Sequence, residues 1–351
     1  MYARFFDALL GCTFLARWAT LAAALVAPFA LGAEDNLSRL QGRTMGTTYS
    51  VAIGGPLPAP LATLQPAVQQ RLDVLEGAMS TYRASSAISR FNAHAGTDWF
   101  PVDPDTAAVV ALAQRISAET HGAFDITVHP AVCLWGFGPD PAPTAPPTAA
   151  AIARALAHVN HRNLAVRLSP PALRKHDPAL AIDLSGIAKG YAAAAVAEVL
   201  ERQGVTAYLI AVGGEIRARG GRPGHRTWRV GLERPEPDGT QVHRVLELTE
   251  TAVSTSGDYR NFQTHSGVRH SHLLDPRTGR PVIGALCAVN VIDTDSARAD
   301  ALATALMVMG ETAALAWADS HGLACLCFVR TASGVRARPS KAFVHRFGAV
   351  P

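Results

Sequence analysis

Asp300 and Thr304 stand four residues apart in Ala299-Asp300-Ala301-Leu302-Ala303-Thr304. On a helix that spacing stacks their oxygens one turn apart on a single face. Two hard oxygen donors so placed suit magnesium, which binds oxygen and keeps positions open for substrate phosphates. The plain alternative is a solvated aspartate and a threonine bonded back to its own helix. The neighbouring alanines and apolar residues favour burial, however, and a lone buried carboxylate is costly without a cation. A second set, Ser271-His272-Leu273-Leu274-Asp275-Pro276-Arg277-Thr278-Gly279, places an imidazole and a carboxylate three residues apart at a turn. His272 fits a general base with Asp275 beside it; it fits equally a packed strand-end histidine with Asp275 capping the turn.

A third set is the run Asp183-Leu184-Ser185-Gly186-Ile187-Ala188-Lys189-Gly190-Tyr191. An apolar stretch ending in a carboxylate breaks at glycine and continues into an alanine-rich helix, whose free N–H groups and dipole favour a phosphate-bearing ligand. Lysine stands only at positions 175, 189 and 341, so an ammonium inside this run departs from the chain's preference for arginine. Thr255-Ser256-Gly257-Asp258-Tyr259-Arg260-Asn261 gathers polar donors around a glycine, as a ligand loop or an ordinary hairpin turn would. Val212-Gly213-Gly214-Glu215 lacks the third glycine of a dinucleotide fingerprint, and no Walker sequence is present. Tyr82, with serine and arginine neighbours, is a candidate for stacking on a planar ring, whereas Trp135 and Phe137 read as core.

The elements that must position these groups alternate irregularly. Arg43 to Ile53 reads as a strand, and Leu64, Val68, Leu72, Leu75 and Met79 repeat at helical spacing over Leu61 to Met79. A second helix opens at Asp103-Pro104 and ends before Gly122. Phe124 to Val128, Leu164 to Leu168, Leu180 to Leu184 and Tyr208 to Val212 read as strands. A helix is predicted from about Ile187 to Gln203, closed by Gly204. Short strands follow at 228–232, 245–248, 252–255 and 285–292, then helices at 296–309 and 311–320. The proline-rich stretch from Gly138 to Pro147 reads as an exposed loop. A β-rich middle between helical flanks predicts a mixed α+β domain with antiparallel sheet.

With 351 residues and 48% hydrophobic content the chain can bury a full core. Its net charge of +4 is small and its basic residues are scattered, which argues against nucleic-acid binding. Residues 1–33 carry Arg4 and Arg17, an apolar run from Trp18 to Leu31 and a small-residue junction at Gly32-Ala33, the pattern of a secretory signal peptide. An uncleaved membrane anchor is the lesser alternative. The working domain is then 34–351. It keeps Cys133, Cys287, Cys325 and Cys327, with no zinc-like spacing; Cys325 and Cys327 alternate with Leu326 and Phe328 as small core residues would.

Taken in order, these motifs resemble the ApbE family of flavin transferases, the FAD:protein FMN transferases. The resemblance runs through Met45-Gly46-Thr47-Thr48-Tyr49, Met79-Ser80-Thr81-Tyr82 with Ile88-Ser89-Arg90-Phe91-Asn92, Phe124-Asp125 with Leu134-Trp135-Gly136-Phe137-Gly138, the 183–191 run, Thr255 to Asn261, His272 to Gly279 and Ala299 to Thr304. It implies a T-fold-like mixed domain, antiparallel sheets flanked by helices, in an exported bacterial enzyme. It further implies magnesium-dependent transfer of FMN from FAD to a Thr or Ser hydroxyl of a partner protein through a phosphoester, with release of AMP.

Carried over by position, FAD would meet Met45, Tyr82, Ala123, Phe124, Asp125, Asp183, Lys189 and Leu274. Magnesium would be held by Asp300, Thr304 and the main-chain oxygen of Gly186, while His272, with Asp275, would serve the attack. The acceptor would be a subunit of a membrane redox complex or a flavin-bearing regulator of nitrous-oxide reduction, with periplasmic location and peripheral membrane association. The alternatives are a magnesium-dependent FAD pyrophosphatase giving FMN and AMP, and an FAD-binding protein without turnover. His129, Ala131, Cys133 and Ala194 depart from the residues usual in the family, and His129 is expected to face solvent.

Overall fold

The computed structural model describes residues 37–235, 241–259, 261–265 and 267–350. The signal-peptide reading of 1–33 lies outside these residues, as does Arg260 of the polar loop. The fold is mixed α+β, built on an eight-stranded sheet in the order Ser38–Thr44, Thr47–Ile53, Tyr208–Val212, Glu215–Arg219, Thr251–Gly257, Leu286–Asp293, Ala324–Thr331 and Gly334–Pro339. Every neighbouring pair in it is antiparallel.

Both faces of this sheet are covered, and strand alternation shows how. Val289, Val291, Cys325 and Cys327 join the larger core with the helices Leu61–Met79, Pro104–Glu119, Ala188–Arg202 and Ser296–Met309. Ala288, Ile292, Leu326 and Phe328 point the other way, into a core closed by the hairpin of Trp228–Glu233 with Val242–Leu248 and by Phe343. Each fully buried large apolar side chain here stabilises the fold by about 1.5–3 kcal/mol relative to its exposed state. Cys325 and Cys327 are core residues, as their alternation predicts, and all four described cysteines are free.

Several helices match the sequence reading in both extent and ends. Pro104–Glu119 is capped by the Asp103 side chain, which accepts from the Thr106 N–H. Ser296–Met309 is capped by Asp295 and is buried on nearly every side, as an alanine- and leucine-rich helix lying between sheet and helices should be. Ala188–Arg202 ends just before Gly204, whose φ of 83° turns the chain.

Three segments read as strands are something else. Arg43 to Ile53 is the last two residues of one strand, Arg43 and Thr44, then a turn and another strand. Met45 and Gly46 sit at φ 48° and 70°, the pair of positive angles that a two-residue hairpin turn needs. Phe124 to Val128 contains a 3-10 turn over Ile126–Val128 that leads into the helix His129–Leu134. Asp125 Oδ1 accepts from both the Thr127 N–H and its hydroxyl, so a local side-chain bond outcompetes the ladder. Leu180 to Leu184 is extended but pairs with no strand. Asn92 substitutes for one, accepting from the Ile182 N–H at 2.8 Å and donating to the Ile182 carbonyl at 2.9 Å, while the Asp183 N–H donates to the Ile126 carbonyl at 2.7 Å. Buried Lys175 closes the same knot by donating to the carbonyls of Asn92 and Leu180.

The helices Ala188–Arg202 and Ser296–Met309 meet at Gly190. A Cβ there would lie 2.1 Å from the Ser296 carbonyl oxygen and 2.8 Å from Asp300 Cβ, so only glycine permits the approach. Gly190→Ala should therefore force the helices apart and lower stability by about 1–3 kcal/mol or more, read as a shift of the urea unfolding midpoint. An unchanged midpoint would show that the crossing has slack.

Candidate active site

The close crossing at Gly190 sets the geometry of the buried end of the site. The Gly190 N–H donates to Asp300 Oδ2 at 2.9 Å, and the Ser296 hydroxyl donates to the Gly190 carbonyl at 2.6 Å. Asp300 is only 2% exposed. Its Oδ1 faces the Lys189 ammonium at 3.6 Å; the same ammonium lies 3.5 Å from Glu215 Oε1 and donates to the Ser185 carbonyl at 3.2 Å. Thr304, one turn beyond Asp300, has its hydroxyl 3.2 Å from that of Ser256. A side chain at Gly186 would come within 3.3 Å of Thr304 Oγ1 and 3.2 Å of the Phe124 ring. Gly186, Thr304 and Asp300, drawn from two distant stretches of sequence, thus line one niche.

Glu215 was passed over in the sequence except as part of a failed glycine pattern. It opens a strand after the Gly213-Gly214 turn, where both glycines have positive φ, and it is 2% exposed. Its Oε2 carries no hydrogen bond. Burial, reinforced by the nearby Asp300, pushes its carboxyl up, against the pull of Lys189. For Lys189 burial disfavours the charge, but Asp300 and Glu215 outweigh it and hold the ammonium above the ordinary lysine range. The cue in the sequence was a glutamate directly after two glycines at a strand edge, a place where a carboxylate can be aimed inward.

The cluster sets one ammonium against Asp300 and against a Glu215 carboxyl whose ionised form burial disfavours. The accessible donors are a carboxylate, a threonine hydroxyl and the main chain at a glycine, a hard-oxygen set that suits magnesium. Among the described residues no three His, Cys, Asp or Glu side chains gather as a metal cage. The niche therefore fits a cation that takes few protein ligands.

The outer rim is aromatic and polar. Tyr82 is 64% exposed and its hydroxyl donates to the Phe137 carbonyl at 2.8 Å. The ring of Phe137 stands edge-on to His272 with centroids 6.3 Å apart. His272 Nδ1 lies 2.9 Å from the Asn261 carbonyl. A carbonyl can only accept, so Nδ1 carries the proton and Nε2 keeps its lone pair. Burial first, and then the Lys189 charge, hold the ring below the ordinary histidine range against the opposing effect of the Asn261 bond. His272 is thus a neutral imidazole near neutral pH, the form a general base requires.

The other residues expected at the site divide into two groups. Leu274 is buried beside Trp135, whose indole N–H donates to the Gly279 carbonyl, so it forms the floor under the rim. Ala123 and Phe124 are buried at the same end of the molecule, and the Met45 N–H donates to Glu76 Oε2 at 3.1 Å, with Thr47 beyond the turn flanking Gly213 beside the Lys189 stem. Asp125 and Asp275 have their carboxylates engaged elsewhere. Asp125 holds Thr127 with one oxygen and the His161 N–H with the other. Asp275 caps its turn through the Arg277 N–H and grips the Arg277 guanidinium at 2.8 Å with both oxygens. Asp275 thus fixes the turn that follows His272.

His129 does not face solvent. Its side chain is 12% exposed, Nδ1 lies 3.7 Å from Asp183 Oδ2, and Nε2 lies 3.3 Å from Cys133 Sγ. Pro130 at the start of the short His129–Leu134 helix and the preceding 3-10 turn swing the ring inward. Burial disfavours its charged form, but Asp183 and Cys133 more than offset this and raise it to about 9. Asp183 also works against burial, and with His129 and the Ser185 N–H beside it the carboxyl sits below its usual range.

Residues 45–327 match the ApbE family. The chain is 40% identical over 307 residues to the FAD:protein FMN transferase of Vibrio cholerae, covering 87% of this chain and 91% of that one. It is 37% identical over 319 residues to the enzyme of the same description from Salmonella typhimurium, covering 90% and 91%. Among solved structures it superposes on the flavin transferase ApbE from Vibrio cholerae with a TM-score of 0.82 at 38% identity, covering 89% of this chain and 100% of that chain. It superposes equally, at 0.82 and 38%, on the apo flavinyl transferase ApbE of Pseudomonas stutzeri, covering 90% and 98%.

The His129–Asp183 pair has a definite pH signature. A histidine raised in the folded state to about 9 adds stability that is full below about pH 6.5 and lost as pH rises through 9. The lowered Asp183 contributes above the ordinary carboxylate range and loses its share only as pH falls through its own folded value. Wild type should therefore lose on the order of 2–3 kcal/mol between pH 6 and 9.5 that His129→Gln does not lose, measured by urea unfolding at the two pH values. Parallel losses in both proteins would remove the pair from this role.

Proposed function

The chain belongs to the ApbE family, and from that membership we propose that it is a flavin transferase that moves FMN from FAD to a Thr or Ser hydroxyl of an acceptor protein, releasing AMP. The observation that carries this reading is the neutral His272, with Nε2 unprotonated and the Lys189 charge acting on it, at the rim of the hard-oxygen niche.

In the step proposed, the acceptor oxygen attacks the FMN phosphorus as the bond from phosphorus to the AMP oxygen breaks. The acceptor proton passes to His272 Nε2. Lys189 offers its ammonium to the departing phosphates, and Asp183 and Tyr82 lie where they can hold the flavin nucleotide. Asp300, Thr304 and the Gly186 carbonyl would hold magnesium, which when bound offsets charge on the pyrophosphate. Asp275, by fixing the turn, keeps the segment that carries His272 in place. The leader-like residues 1–33 support export, so that the reaction proceeds in the periplasm on a respiratory acceptor associated with the membrane.

Incubation with FAD, magnesium and a Thr-bearing acceptor should give a fluorescent acceptor band together with AMP. AMP without a labelled acceptor would mark a hydrolase, and bound FAD without AMP a binding protein; either result would overturn the transfer reading. Asp300→Ala should abolish metal-dependent turnover, since it removes one of two side-chain ligands; full activity would remove the niche from catalysis. His272→Ala should slow transfer by about 10²–10⁴-fold while leaving FAD affinity within a few-fold, checked by flavin fluorescence titration. Loss of FAD binding in that variant would assign His272 to structure instead.

A further inference from the structure

Cys133 is set apart from the other described cysteines by both exposure and surroundings. Cys287, Cys325 and Cys327 are 1%, 0% and 0% exposed, whereas Cys133 is half-buried. It stands four residues after His129 on one short helix, so its sulfur and the imidazole share a face. Sγ is 3.3 Å from Nε2, and the other ring nitrogen faces Asp183 at 3.7 Å. Carboxylate, imidazole and sulfur stand in that order, an arrangement in which the carboxylate orients an imidazole beside a nucleophilic atom. Sγ lies nearer Nε2 than Nδ1, at 3.3 against 4.0 Å, and Nδ1 is the nitrogen that faces Asp183.

The surroundings of the sulfur join it to the proposed flavin site. A Cβ at Gly138 would fall 2.6 Å from Sγ, so the sulfur packs directly against the Gly138 backbone, where a side chain would have no place. Gly138 follows Phe137, whose carbonyl holds the Tyr82 hydroxyl. Although the Tyr82 side chain is largely exposed, its hydroxyl is shielded enough at the Phe137 carbonyl for its pKa to be raised, and Asp183 and Cys133 act in the same direction. A group attached to the sulfur therefore lies beside Tyr82 and Asp183, two residues that would hold the flavin.

We infer that Cys133, served by His129 and Asp183, is a site of thiol modification at which a small disulfide forms a mixed disulfide that displaces the flavin nucleotide. The flavin part of this inference rests on the function proposed above. In the step, the Cys133 sulfur attacks one sulfur of the small disulfide, a new S–S bond forms and the old one breaks. The Cys133 proton passes by way of His129 to the departing thiolate, giving one mixed disulfide and one small thiol. A reducing thiol reverses the exchange.

The test uses the full chain with oxidised glutathione as probe. Peptide mass spectrometry should find the adduct on the Cys133 peptide, forming at least tenfold faster than on N-acetylcysteine in the same tube and at least tenfold faster than in His129→Asn. The modified chain should bind FAD at least tenfold more weakly, restored by dithiothreitol, while Cys133→Ser binds FAD normally and acquires no adduct at that peptide. The inference is overturned by an adduct no faster than on the free thiol, by an undiminished rate in a folded His129→Asn, or by unchanged FAD affinity after modification. Adduct formation is read by mass alone. Failure of the unmodified chain to bind FAD would therefore count against the proposed function while leaving the reactive-thiol result to stand or fall separately.

Discussion

The hydrogen bond from the Gly190 N–H to Asp300 Oδ2 is the contact on which the rest of the site depends. It exists because glycine lets two helices approach until the Ser296 carbonyl occupies the space a side chain would need. The bond fixes one carboxylate oxygen and leaves the other turned toward Lys189. It also ties the start of the Ala188–Arg202 helix, and with it the Asp183–Gly186 segment, to the helix that carries Thr304. Two stretches more than 100 residues apart in sequence thereby present donors to one niche. The large antiparallel sheet serves this arrangement as a platform, with the Ser296–Met309 helix laid on its Thr251–Gly257 and Leu286–Asp293 strands.

Much of this was legible in the sequence because it depends on local pattern. Asp103-Pro104 announces a helix start, Gly204 a helix end, and the Asp300 to Thr304 spacing a common face. These signals need no knowledge of what lies opposite. The segments misread as strands failed for the complementary reason. Phe124 to Val128 has strand composition, but Asp125 bonds to Thr127 two residues on and curls the chain. Leu180 to Leu184 is extended and apolar, yet its hydrogen-bond partner is a side chain, Asn92, ninety positions away. No propensity encodes such a partner. Arg43 to Ile53 could have been divided at Met45-Gly46 had the glycine been weighed as a turn residue within an alternating run.

The same distinction explains the site residues. His272, Asp300 and Thr304 belong to compact motifs, and their placement follows from those motifs. Glu215 and His129 matter only because of what the fold brings beside them: Lys189 and Asp300 in one case, Asp183 and Cys133 in the other. Asp125 and Asp275 show the converse. Both sit inside conspicuous motifs, and both engage their carboxylates in holding turns. A motif can thus be diagnostic of a site because it builds the scaffold rather than because each polar residue touches the ligand.

Lys189 joins these observations through its charge. Its ammonium stands between two buried carboxylates that would otherwise repel each other, so it allows Asp300 to be buried next to Glu215 at all. Burial and Asp300 push the Glu215 carboxyl up, so the ammonium is set chiefly against Asp300 at the place where hard oxygens converge. The same ammonium helps hold His272 neutral, which leaves the Nε2 lone pair available at the rim. A lysine here, in a chain whose basic residues are mostly arginine, is understandable on these grounds. A compact ammonium on a flexible stem fits beneath Gly213 and reaches both acids, whereas a planar guanidinium would demand a paired, in-plane carboxylate geometry that this crossing does not offer.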